Sequence, residues 1–122
     1  MRLTRVLAVL TAVAACAALA SPALADAPEA TASKSCSVGD SRSYGTTYVI
    51  SISVSNTSCR SGRRVIRAFH ACRPGKQGSC ESAVLGYTCR ENRFNRGKTQ
   101  YDSRVTCTKG SRVVKHTYTQ YT

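Results

Sequence analysis

His70 and His116 are the only two histidines in the chain. Two imidazoles with a lysine nearby are the minimum equipment for acid–base cleavage of a phosphodiester, one ring taking a proton while the other gives one. Lys115 adjoins His116 in sequence. Both histidines also have a plain structural reading. His70 falls near a helix C-terminus, where its cation is favourable, and His116 reads as a core or edge residue opposite Ser103. A second constellation is basic. Arg90, Arg93, Phe94, Arg96 and Lys98 crowd one stretch, with Asn92, Asn95 and Gln100 among them. Charge for phosphate or carboxylate, with a ring for stacking, is what a polyanion-binding loop needs. A solvated hairpin tip with Phe94 folded onto the core has the same composition. A third group is Arg60, Arg63, Arg64 and Arg67. Arg63 and Arg67 share a helix face, and like charges so placed repel by a few tenths of ~1 kcal/mol unless an anion relieves them. That group reads first as the exposed side of an amphipathic helix and second as a ligand-facing stripe.

Other chemistries find less support. Asp40, Glu81, Glu91 and Asp102 are scattered, without the spacing of a paired-carboxylate site. There is no GxSxG motif and no P-loop. No CxxC motif occurs and the cysteine spacings are irregular, so no metal is expected. No motif calls for a cofactor. Asn56-Thr57-Ser58 matches a glycosylation sequon but reads as a helix cap.

The N-terminus sets the compartment. Arg2 and Arg5 open a basic segment, Val6 to Ala20 is apolar, and Pro22-Ala23-Leu24-Ala25 places small residues before Asp26. This predicts a secretory signal peptide over 1–25, cleaved after Ala25, and a secreted protein. The apolar run is short for a membrane span, and no other stretch approaches one. Removing 25 of the 122 residues leaves 97, enough for one domain. The hydrophobic share, 42% of the whole chain, then falls to 32 of 97 residues. Only 14 of those 97 are Ile, Leu, Val or Phe, and Leu85 is the one Leu. So thin a core with high charge would ordinarily mean disorder, and a covalent support is required. Six cysteines supply it: Cys36, Cys59, Cys72, Cys80, Cys89 and Cys107. An even number in a small exported chain reads as three disulfides, with fifteen possible connectivities.

Charge narrows the partners. The chain carries 18 Lys and Arg against 6 acids, a net +12, which becomes +10 without Arg2 and Arg5. A basic exported domain is attracted to polyanions, among them nucleic acid, wall polymers, phospholipid headgroups and acidic proteins. Alternatively the charge only maintains solubility.

The positioning elements follow from periodicity. Residues 26–35 read as a flexible leader and 36–122 as a single domain. Thr47 to Val54 alternates, with Tyr48, Ile50, Ile52 and Val54 on one face, and predicts a half-buried strand. Cys59 to Cys72 predicts a helix, with Val65, Ile66, Phe69 and Cys72 on its buried side and Arg73-Pro74-Gly75 as its stop. Val84 to Glu91, Tyr101 to Thr108 and Arg112 to about Gln120 predict three more strands, with Asn92 to Gln100 a loop and Lys109-Gly110 a tight turn. The expected fold is therefore α+β: one helix packed on a four-stranded, mostly antiparallel sheet, in the order β-α-β-β-β, stabilised by disulfides. Antiparallel runs against the helix favour Cys59–Cys89 and Cys72–Cys107, leaving Cys36–Cys80. A local Cys72–Cys80 bridge is the main rival, because a short loop closes easily. The same register sends Leu85, Tyr87, Val105, Val114, His116 and Tyr118 toward the helix. Arg90, Arg104, Thr106, Val113, Lys115, Thr117 and Thr119 go to an open face that is polar, basic and rich in hydroxyls.

The arrangement resembles a loose group of small secreted bacterial proteins with paired cysteines. The likeness rests on the Cys–helix–Cys unit, on Val84-Leu85-Gly86-Tyr87-Thr88-Cys89, and on Val105-Thr106-Cys107-Thr108-Lys109-Gly110 followed by Arg112-Val113-Val114. It covers roughly Cys59 to Tyr118, and many members have Trp or Phe where Tyr87 stands. No activity is assigned to that group, so the resemblance implies fold and compartment only. Cys36 and Cys80 are additions to its simplest form. The leading functional expectation is a non-enzymatic, monomeric binding module for an anionic polymer or an acidic protein surface. Two others stand beside it: a secreted inhibitor or interaction domain acting through a loop, and a ribonuclease-like hydrolase using His70 and His116.

Overall fold

A computed structural model describes residues 32–122. The expected signal peptide and most of the expected leader lie outside the described residues. Six elements follow in order: β1 (Lys34–Cys36), β2 (Tyr48–Ser55), α1 (Cys59–Cys72), β3 (Thr88–Phe94), β4 (Gln100–Lys109) and β5 (Arg112–Tyr121). The strands form one antiparallel sheet in the order β1-β2-β5-β4-β3. The α+β class is as expected. The sheet has five strands rather than four, because Lys34 and Ser35, expected in the leader, pair with β2 as β1.

Helix α1 spans the expected residues. Ser58 caps it, its Oγ accepting the Ser61 amide at 3.1 Å. The helix lies on one face of the sheet, burying Gly62, Val65, Ile66, Phe69 and His70. Gly62 lets it approach closely, since a Cβ there would stand 2.6 Å from Val54 Cγ1. Against it pack Val49, Ile52, Val54, Val105, Val114 and Tyr118. No element of the described residues covers the opposite face of the sheet.

Three details depart from the expected pattern. In β2 a bulge between Val49 and Ser51 breaks the alternation. Val49 is buried in its wake, Ile50 is 57% exposed, and Tyr48 faces outward opposite Thr119. Next, Val84 to Tyr87 is not the start of a strand but a separate tight turn, and Leu85 at its tip is exposed rather than facing the helix. Finally, β3 runs on to Phe94, so Asn92, Arg93 and Phe94 of the expected basic loop are strand.

The disulfides are Cys36–Cys59, Cys72–Cys80 and Cys89–Cys107. None of the three favoured pairings forms, and the local Cys72–Cys80 rival does. The physical reason lies in the β3–β4 register. Ending β3 at Glu91 and opening β4 at Tyr101 would set Cys89 opposite Ser103. The observed hairpin is shorter, pairs Phe94 with Asp102, and so sets Cys89 directly opposite Cys107. With those two joined across adjacent strands, Cys59 at the helix start is left for Cys36 on β1.

Candidate functional site

The sheet and helix bring the two histidines together. His70 comes from the last turn of α1 and His116 from the inward side of β5, and their Nε2 atoms are 3.1 Å apart. Arg73 Nη1 lies 3.3 Å from His70 Nδ1. A guanidinium only donates, so that nitrogen accepts and the His70 proton sits on Nε2. It then points at His116 Nε2, which accepts, and the His116 proton sits on Nδ1. Among the described residues that Nδ1 has no hydrogen-bond partner. Burial, the Arg73 charge and a weaker opposing pull from Glu91 set His70 at about 3. Burial and the neighbouring His70 push His116 well below its ordinary value. Both rings are therefore neutral at physiological pH.

A larger polar network surrounds the pair. Arg73 is 7% exposed and donates to Gly78 O, Gln120 Oε1, Lys76 O and Tyr101 Oη, with its guanidinium 4.9 Å from the Tyr118 ring. Tyr118 Oη donates to Glu91. Burial alone would raise the Glu91 carboxyl. Donors from Arg93, Ser79, Tyr118 and Ser103 overcome that and hold it at about 2. A cleft of about 440 Å³, with Arg67 at its rim, reaches His70. His116 is 1% exposed and does not reach it. Phosphodiester cleavage by two histidines needs both rings to face a reacting group between them. Here the rings touch each other.

The basic stretch is divided between two sides of β3. Arg93 points inward. It forms the one ion pair within 4 Å among the described residues, to Glu91 at 3.0 Å, and donates to Gln77 O and Gly78 O. It belongs to the scaffold. Arg90 and Phe94 point outward, and Arg96 and Lys98 stand exposed in the short β3–β4 turn. The helix arginines divide too. Arg63 donates to Ser37 O and Arg67 to Ser43 O, binding the segment after β1 to the helix. Arg60 and Arg64 are exposed.

The open sheet face gathers the rest. No family model, curated protein or solved structure matches this chain. The site must be read from its own geometry. Outward residues fall in cross-strand rows. Arg90, Thr106, Lys115 and Ser53 make one row; Asn92, Arg104, Thr117 and Ser51 make the next; Phe94, Asp102, Thr119 and Tyr48 make a third. Strands lie about 4.8 Å apart, so Arg90 and Lys115 are about 10 Å apart with Arg104 in the adjoining row. Arg104 lies 5.5 Å over the Phe94 ring and Arg42 lies 4.9 Å over Tyr48. Asp102 is the only acid in these rows, and Thr119 Oγ1 and Asn95 Nδ2 donate to it at 2.6 and 2.9 Å. A shallow depression of about 260 Å³ lies among Ser51, Ser53, Arg104, Lys115 and Thr117.

Alternation along β4 and β5 foretold this face. The sequence carried no sign of Arg73 as the partner of His70, nor of Glu91 and Gln120 as members of the network around the pair. Only the inward position of Gln120 was legible, since it continues the inward series of Val114, His116 and Tyr118. Arg73 carried no signal beyond the end of a helix. Among the described residues no three His, Cys, Asp or Glu side chains are grouped to hold a metal. No helix there is long and apolar enough to cross a membrane.

Proposed function

We propose that this protein is a secreted, non-enzymatic binding module that docks an extended anionic polymer on the open face of its sheet. One observation carries the reading: Arg90, Arg104 and Lys115 stand together on an uncovered surface of hydroxyls and aromatics, with no carboxylate paired to them within 4 Å among the described residues. Cations left without counter-ions attract phosphate or carboxylate, and hydroxyls and rings add short-range contacts along a chain. Three disulfides support work in an oxidising compartment outside the cell. Nuclear magnetic resonance titration of the protein with a short oligothymidylate tests the location. The expected shifts gather on outward residues of β4, β5 and β2, Arg104, Lys115 and Thr117 first. Shifts confined to α1 would contradict it.

A further inference from the structure

The turn at Leu85 is strained and unpacked at once. Val84 and Tyr87 exchange two backbone hydrogen bonds of 2.8 Å, closing a two-residue turn. Leu85 and Gly86 at its tip have φ of 50° and 80°, the left-handed pair of a type I′ turn. Glycine suits the second position, whose φ of 80° an L side chain rarely adopts. Leucine is not needed at the first, which Asn, Asp or Gly adopts at least expense. Nor does packing repay the strain, because Leu85 is 52% exposed. Folding does not explain why this side chain is held out here.

Its surroundings supply a reason. Lys109 Nζ lies 3.4 Å from Leu85 O. Arg64 on α1 and Arg112 on β5 join Lys109 around a cleft of about 220 Å³, against Val65 and Tyr87, with Leu85 at its mouth. No acid lines that cleft, and none of its three cations has a carboxylate within 4 Å among the described residues. Phosphate-binding charge and an exposed hydrocarbon tip thus stand side by side. A water-soluble polyanion would use only the first.

We infer that this end of the molecule seats on an anionic phospholipid bilayer. A headgroup phosphate lies among Arg64, Lys109 and Arg112, and Leu85 enters the acyl boundary. The surface is separate from the open sheet face and does not depend on it. Cosedimentation of the protein with vesicles tests the inference, using phosphatidylglycerol with phosphatidylcholine against phosphatidylcholine alone. Binding is expected only where phosphatidylglycerol is present. Leu85→Asn relieves the turn, so it should keep or raise the melting temperature while weakening vesicle binding about fivefold or more. R64Q, K109Q and R112Q should each weaken it about fivefold. R104A with K115A should cost less than any one of these, and soluble glycerol phosphate should not compete. No preference for phosphatidylglycerol, full binding by Leu85→Asn, or loss of binding in R104A/K115A would each overturn the inference. So would competition by glycerol phosphate, which would mark a site for free phosphate esters.

Discussion

At the scale of residues, the decisive feature is that ionisable groups near the core are held neutral, ion-paired or, for Arg73, bonded on every side by neutral acceptors. His70 and His116 remain neutral because burial strips most of the water from their rings and Arg73 stands beside them. Glu91 remains ionised because four donors surround it. The two cases have the same consequence on acidification. The unfolded chain takes up histidine protons near pH 6.5, whereas folded His70 does so only at about 3. Stability is therefore full above pH 6.5 and falls as pH drops through the window below it, by up to about 1.4 kcal/mol per pH unit for each ring. Glu91 adds a loss between about 4.5 and about 2, since its folded value is the lower one. Thermal melts should show the transition falling steadily from pH 7 to pH 5. His70→Gln with His116→Gln should flatten that slope even while lowering the whole curve; an unchanged slope would refute the assignment. The histidines were visible in the sequence as a possible couple, but not the arginine that sets their tautomers. Nothing about Cys72-Arg73-Pro74 marks a buried guanidinium. Its burial follows from four neutral acceptors and two tyrosines that only the fold assembles.

At the scale of elements, strong periodicity was legible and register was not. Helix α1 announces itself by Val65, Ile66 and Phe69 and by its Ser58 cap, and β4 and β5 by uninterrupted alternation. In β2 the apparent stripe of Tyr48, Ile50, Ile52 and Val54 fails at the bulge, because one inserted residue moves everything before it to the other face. In β3 the polar stretch from Asn92 onward resembles a loop, since the inward positions beside it are Glu91 and Arg93, a largely buried ion pair in place of apolar residues. Misplacing that strand end by three residues was enough to misassign the disulfides. The helix–sheet contact yields a prediction of its own. Gly62→Ala gains about 1 kcal/mol of helix propensity. It also drives a methyl to within 2.6 Å of the buried, β-branched Val54, an overpacking that costs about 1–3 kcal/mol. A lower melting temperature is expected in scanning calorimetry, and a higher one would mean that α1 can lift from the sheet.

At the scale of the whole molecule, a small core and a large charge are reconciled by covalent and electrostatic division of labour. The bridges close loops of 23, 8 and 18 residues, each contributing about 2–4 kcal/mol by restricting the unfolded chain. That is large beside the about 5–15 kcal/mol of a typical domain, so the surface is free to carry unpaired cations. Arg63, Arg67, Arg73 and Arg93 are drawn into the scaffold by carbonyls, Gln120 and Glu91. Arg90, Arg104 and Lys115 are left to face outward on the sheet. The salt dependence of binding tests this division most directly. Fluorescence anisotropy of a labelled oligothymidylate, titrated over a range of sodium chloride concentrations, gives the slope of log affinity against log salt for the protein and for R104A/K115A. Each phosphate neutralised contributes about 0.7 to that slope for a single strand. The double variant is expected to keep its melting temperature and to lose roughly 1.4 from the slope. An unchanged slope would contradict this division.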